Sequence, residues 1–290
     1  MTLVLLLIVT FASGLLAYGL SRRYPSPMVE QAPARAAKEV IQTEARRHPW
    51  LERTLRQRLD PAAATGLALT LALAVVSVGL FVLGVLAYLT RSSETLADLD
   101  AAVGQWGVDN ASAWATTGLD WLTQLGDTWV CIAIAVVVAV VEMIRVPSRW
   151  VPVFLGVVIA GSVVIVNTAK ELLDRVRPEF NPIAETLGPS FPSGHAAMAA
   201  AFWAAVALVL ARRRSPRVRA LLTAGAVAIA VTVAGTRVLL GVHWLSDTIA
   251  GLAFGWAWFS LVAIAFGGRL LQLGAPVAAA TRDVARAHTS

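Results

Sequence analysis

Apolar residues in this chain come in long unbroken runs, not in the alternation of a half-buried strand. Seven runs stand out, over residues 2–20, 64–90, 128–144, 151–169, 194–211, 219–239 and 247–267. Each is near the roughly 20 residues a helix needs to cross a bilayer. The pattern predicts an all-α integral membrane protein with seven transmembrane helices. Between 91 and 127 it changes, with Leu96, Leu99, Val103 and Trp106 at helical spacing, then Trp114, Trp121 and Trp129. Tryptophan favours the membrane interface, so short helices lying on the membrane surface are expected there. Gly251 and Gly255 form a GxxxG in the last run, which predicts close helix packing within the chain.

Composition agrees: 57% of the 290 residues are hydrophobic and 14% charged, more apolar than a soluble domain of this length. The formal net charge of +6 would suggest a nucleic-acid partner in a soluble protein. Here the basic residues lie in short stretches between apolar runs, where they report topology, and no nucleic-acid binding is expected. Residues 21–61 carry Arg22, Arg23, Arg35, Lys38, Arg46, Arg47, Arg53, Arg56 and Arg58, which suits the cytoplasmic side. A cleaved signal peptide would deliver that segment outside, so the first run reads as a retained helix with its N-terminus out. Leu51, Leu55 and Leu59 suggest either a basic helix on the inner membrane surface or a solvated linker helix. The stretch 91–127 holds one cation, Arg91, and suits the outside, whereas Arg145 and Arg149, then Arg212 to Arg219, then Arg269, Arg282 and Arg286 suit the inside. The expectation is a multi-pass protein of the cell membrane with a cytoplasmic C-terminus. It divides into an N-terminal helix and basic linker (1–61), a six-helix membrane domain (62–268) and a tail (269–290).

Single Cys131 offers neither a disulfide nor a thiolate metal cluster. Glu171, Asp174, Glu179 and Glu185 have no spacing that makes a metal cage, so they read as solvated charge and neither metal nor cofactor is expected. Three stretches on the expected outer side carry candidate chemistry. Lys170 and Arg177 are seven residues apart, close to two helical turns, so both would point one way and Arg175 roughly the other. Two readings fit them, a snorkelling pair at a membrane border or an anion site. Phe191-Pro192-Ser193-Gly194-His195 precedes the fifth run: Ser193 suits an N-cap, and Gly194 lets an anion approach the amides at the positive end of a helix. His195 would stand in the first turn beside that anion. The third stretch runs from Thr236 to Asp247. If it is helical, Asp247 holds the Nδ1 proton of His243 four residues earlier and leaves Nε2 free to attack; the alternative is an interfacial histidine beside a helix-capping aspartate. Arg237 and His243 would face different ways on one helix, so Gly241 is expected to split the stretch between two helix ends.

Lys170 with six residues before Arg177-Pro178, Pro192-Ser193-Gly194-His195, and Arg237 with five residues before His243 and three more before Asp247 together resemble the three-part signature of the type 2 phosphatidic acid phosphatases. That superfamily also includes the vanadium haloperoxidases. The resemblance covers roughly 64 to 267 and implies the family's six-helix core, leaving the first helix outside it. One departure is Thr236, where the family more often has serine; the hydroxyl is kept. The resemblance implies that Lys170, Arg177 and Arg237 neutralise a phosphate, with hydrogen bonds from Ser193 and the Gly194 amide. It implies too that His243 attacks phosphorus, Asp247 orients its ring and His195 protonates the leaving oxygen. The expected activity is metal-independent hydrolysis of a lipid phosphate or diphosphate at the outer leaflet, on phosphatidic acid, phosphatidylglycerol phosphate or a polyprenyl diphosphate. The alternatives are a lipid phosphotransferase using the same intermediate and a non-catalytic transporter or scaffold that binds anionic headgroups.

Overall fold

The computed structural model describes residues 2–23, 61–180 and 188–270. All secondary structure among them is helical: α1 (Thr2–Arg23), α2 (Pro61–Ser92), α3 (Glu94–Asp109), α4 (Ala113–Thr123), a 3-10 turn (Gln124–Gly126), α5 (Thr128–Arg145), α6 (Trp150–Leu173), α7 (Gly194–Leu210), α8 (Pro216–Leu239) and α9 (Leu245–Leu270). A helix thus stands at each of the seven expected runs. Five of them, α1, α5, α6, α8 and α9, are long and apolar enough to cross a membrane, or six if α2 and α3 form one broken span bent by 94°. The count of seven is not reached, because α7 has 17 residues and α2 counts only together with α3. The basic segment with Leu51, Leu55 and Leu59, Glu185, and the tail arginines Arg282 and Arg286 lie outside the described residues.

Local chemistry sets the helix ends. Ser93 caps α3 by accepting from the Leu96 amide, and Asp127 caps α5 by accepting from the amides of Trp129 and Val130. Ser215 caps α8, whose first residue, Pro216, lacks the amide hydrogen that would go unused there. The sharp bend between α2 and α3 lays the amphipathic α3 across the bundle, and α4 follows it with Trp114 and Trp121 exposed. The short helices expected in this stretch are present.

The centre of the bundle is α7, which is apolar all round and buried on most of its circumference, as a helix enclosed by others must be. It packs against α5, α6, α8 and α9. Phe154, Leu155 and Val158 of α6 meet Met198, Ala201, Phe202 and Ala205 of α7 in the main core. Against α9 the approach is closer. A Cβ on Gly255 would stand 2.3 Å from the Ala197 carbonyl oxygen, and one on Gly251 2.6 Å from that of Ser193. The GxxxG therefore packs α9 on α7 within the chain. Helix α1 lies along α8: Thr10 and Thr232 share a hydroxyl hydrogen bond of 2.8 Å, and Leu6 fits where Gly235 has no side chain.

Two ends result. At one, Glu142 is fully buried between Arg145 and Arg212, which joins the α5–α6 and α7–α8 turns as their shared basic character anticipates. At the other, the α2–α3 junction, the 3-10 turn, residues 174–180 and 188–193 and the α8–α9 turn come together.

A methyl added at Gly255 meets the Ala197 backbone, which cannot give way as a flexible side chain could, so Gly255→Ala should cost about 1–3 kcal/mol, as overpacked cores do. Gly225, in α8, has nothing within 4 Å of an added Cβ. Gly225→Ala should be neutral or stabilise by up to about 1 kcal/mol. Thermal unfolding of both variants in detergent checks the pair.

Candidate active site

The turn between α8 and α9 presents His243. After α8 ends, Gly241 takes φ +68°, which a side chain disfavours, and the chain folds back so that the amides of Val242 and His243 both donate to the Arg237 carbonyl at 3.2 Å. Gly241 divides the stretch as expected. His243 is not helical, however, since α9 begins at Leu245. The i,i+4 pairing with Asp247 is made across a helix start, not along one helix face.

His243 is 2% exposed, with Nδ1 3.3 Å from Asp247 Oδ2 and Nε2 3.2 Å from Arg177 Nη1. Donor bookkeeping assigns the tautomer. Arginine can only donate and a carboxylate can only accept, so Nδ1 carries the proton and Nε2 keeps its lone pair. Burial pushes the ring's pKa down to about 4; the Asp247 hydrogen bond and charge oppose this, and Arg237 and Arg177 add to it. The ring is therefore neutral at neutral pH.

Asp247 serves a second purpose. Its Oδ2 also accepts from the Trp244 amide at 3.0 Å, the reach of a third-position acid back to the residue that starts a helix. Holding the His243 ring and capping a helix, which the sequence offers as alternatives, coexist in one carboxylate. Its other oxygen, Oδ1, accepts from Arg175 Nη1 at 2.5 Å. Arg175 Nη2 reaches Asp100 Oδ2 at 2.9 Å, and Asp100 in turn accepts from the Ser246 amide (2.9 Å) and hydroxyl (2.5 Å). The Arg175 guanidinium lies 5.3 Å from the Trp244 ring centroid.

Arg175 was expected to point away from the site. That expectation assumed a helix through Arg177, but α6 ends at Leu173 and Asp174 follows at φ +42°, so helical phase does not apply beyond it. Asp100 did leave a signal. It falls between Leu96 and Val103 on the inner face of α3, and a charge on an apolar face asks for a buried partner.

The remaining candidates surround His243. Arg177 donates to the carbonyls of Val242 (2.9 Å), Gly188 (2.9 Å) and Pro189 (3.3 Å) as well as facing Nε2. Arg237, buried, donates from Nη1 to Thr123 Oγ1 at 3.2 Å, while its Nε has no partner. Thr123, at the end of α4, is a contact the sequence did not single out. Ser193 occupies the cap position of α7, yet its hydroxyl caps nothing and is buried without a partner. Its amide donates to the Asp247 carbonyl at 3.0 Å, tying the start of α7 to α9. A Cβ on Gly194 would meet only Val166, at an ordinary 3.6 Å. Lys170, in the last turn of α6, has Arg177, Arg237 and Asp247 as electrostatic neighbours. His195, in the first turn of α7, has Arg237, His243, Asp127 and Lys170. All eight residues singled out in the sequence thus lie at one end of the bundle, contributed by α6 and the segment after it, the start of α7, the end of α8, the α8–α9 turn and α9.

Residues 152–270 match the PAP2 superfamily. The chain is 37% identical over 137 residues to lipid A 1-phosphatase of Rhizobium johnstonii, an alignment covering 43% of this chain and 52% of that protein. It is 27% identical over 167 residues to phosphatidylglycerophosphatase B of Bacillus subtilis, covering 56% and 81%. The chain thus spans about half the length of the lipid A 1-phosphatase it matches. The crystal structure of the transmembrane PAP2-type phosphatidylglycerolphosphate phosphatase from Bacillus subtilis superposes with a TM-score of 0.60 at 28% identity, over 65% of this chain and 93% of that one. The stretch that matches the PAP2 superfamily, residues 152–270, contains the whole cluster of cations and histidines around Asp247.

Proposed function

We propose that this chain is a membrane-embedded lipid phosphatase that releases phosphate from a lipid phosphate or diphosphate through a phosphohistidine at His243. The observation that carries the reading is the state of that ring, neutral, with Nδ1–H held by Asp247 and the Nε2 lone pair beside Arg177. In the first step Nε2 forms a bond to phosphorus while the in-line bond to the lipid oxygen breaks, and His195 gives that oxygen its proton. A bound phosphate favours the protonated form of His195 by its charge. In the second step His195 takes a proton from water, the water oxygen displaces Nε2, and inorganic phosphate leaves.

Lys170, Arg177 and Arg237 would balance the equatorial charge, with Ser193 and the Gly194 amide donating to the same oxygens. Two buried groups without partners, Ser193 Oγ and Arg237 Nε, support this assignment. A buried donor left unpaired costs about 1–3 kcal/mol, which a phosphate oxygen would recover. With three side-chain cations supplied, the chemistry asks for no metal. A phosphorylated lipid fits the setting: Trp114, Trp121 and Trp129 stand exposed around this end, as expected where headgroups meet the bundle. The arginines of the opposite end support a cytoplasmic position for it, which would open the site toward the outer leaflet and leave the tail inside. The relatives' names put lipid A and phosphatidylglycerol phosphate first among substrates to try, beside phosphatidic acid and polyprenyl diphosphates.

Purified protein assayed against those lipids in detergent should release inorganic phosphate from at least one, and EDTA should leave the rate unchanged. A new phosphorylated lipid without free phosphate would identify a phosphotransferase instead. His243→Ala should fold and lose roughly 10⁴-fold or more of the rate; substantial turnover by a folded variant would remove His243 as nucleophile.

The pH profile tests the ring's environment. His243 attacks only when neutral, and protonation below its pKa of about 4 removes the lone pair. The acid limb of kcat/KM, which reports the free enzyme, should therefore be centred near pH 4. A limb centred near the ordinary histidine value of about 6.5 would contradict a buried neutral ring.

A further inference from the structure

We infer that Asp100 and Arg175 form a positioning unit for the reaction, through which the surface helix α3 sets where Asp247 holds His243. The inference rests on the reading of His243 as nucleophile. Arg175 divides its two terminal nitrogens between two buried carboxylates from distant parts of the chain, Asp247 Oδ1 and Asp100 Oδ2. Nη1 also donates to Ser246 Oγ at 2.8 Å, and Ser246 gives both its amide and its hydroxyl to Asp100. Asp100 thereby caps the first turn of α9 from another helix, while Asp247 caps the same turn from within.

The consequence is geometric. Asp247 can turn about its side-chain bonds, and Arg175 holds its Oδ1 while its Oδ2 meets the imidazole and the Trp244 amide. Arg175 sits on a non-helical strand of chain after the left-handed Asp174, so the local backbone does not fix its guanidinium. What fixes it is the second carboxylate, together with the Trp244 ring beneath it and the hydrogen bond from Trp244 Nε1 to the Val176 carbonyl. Neither Asp100 nor Arg175 touches His243 Nε2, and neither contributes to the phosphate cradle of Lys170, Arg177 and Arg237. Their effect should fall on the chemical step and leave phosphate binding alone.

Asp100→Asn keeps the shape and removes the charge that anchors Arg175. The expected result is a loss of about 10- to 100-fold in kcat, the scale on which supporting residues act. KM and competitive inhibition by inorganic phosphate should stay within about 2-fold of the parent. Arg175→Lys, which cannot fork between two carboxylates, should show the same split. The double variant should lose no more than the worse single one, because both break one unit. Three results would overturn the inference: an unchanged kcat in folded Asp100→Asn, losses that multiply in the double variant, or weaker phosphate inhibition that matches the loss in kcat. If Asp100→Asn does not fold, Ser246→Ala deletes one hydrogen bond from each of Arg175 and Asp100 and should give the same split at smaller size; an unchanged kcat there also overturns it. Failure of the nucleophile reading looks different, since His243→Ala would then retain turnover whatever the Asp100 variants do.

Discussion

The His243 end of the bundle hangs on one carboxylate. Asp247 accepts from the His243 ring, the Trp244 amide and Arg175, and its backbone carbonyl accepts from the Ser193 amide. Those four bonds tie together the α8–α9 turn, the segment after α6 and the start of α7. A buried carboxylate is costly unless its oxygens are fully engaged, and Asp247, with no exposed surface, has its acceptors engaged from three directions. The same saturation that makes the charge tolerable fixes its position. A carboxylate that merely oriented a histidine could pivot; one that also caps a helix and anchors an arginine has little freedom left.

Close packing below the site makes the arrangement possible. Ser193 and Asp247 can join their backbones only because α7 and α9 approach closely, and Gly251 and Gly255 allow it by leaving room for the carbonyls of Ser193 and Ala197. Gly126 does the same for the 3-10 turn, where a Cβ would stand 2.6 Å from the His195 carbonyl oxygen. Association of apolar helices in a bilayer gains little from burying surface, so small residues that let backbones meet carry much of the packing. The site residues are therefore placed by glycines a turn or more away from them.

Much of this was legible in the sequence, and the misses have physical causes. Runs of apolar residues located every long helix, because a chain cannot expose backbone polar groups to lipid and the helix is the local way to satisfy them. Gly241 marked the break before His243, and the three motifs named residues that the fold does gather at one end. Arg175 was lost to an assumption of helical phase that Asp174 breaks, and left-handed backbone at a non-glycine residue is hard to foresee. Asp100 lies on the cation-poor segment 91–127, and its place among Leu96 and Val103 is the informative fact. Thr123 gave no local signal, since its contact with Arg237 spans 114 positions of sequence. What sequence periodicity conveys is which way a residue faces on its own helix; which distant group it meets is a property of the assembled bundle.

The arginines around Asp247 sort by the charge of their partners, and the sorting bears on which of them would bind phosphate. Arg175 is matched by two carboxylates, both buried, so its charge is spent inside the protein. Arg177 and Arg237 have neutral partners: carbonyls and an imidazole nitrogen for the first, a threonine hydroxyl for the second. Among the described residues no carboxylate lies within ion-pair distance of either, or of Lys170. Three cations gathered near a membrane border repel one another and lose hydration, an arrangement that costs energy unless an anion completes it. Carbonyl partners hold Arg177 in place without neutralising it. Had the cluster served only to pack the helix ends, acids would be expected opposite these cations, as Glu142 is placed between Arg145 and Arg212 at the far end of the same bundle. The two ends apply opposite rules to buried arginine, and the one that withholds carboxylates also presents a neutral histidine whose Nε2 lone pair faces Arg177.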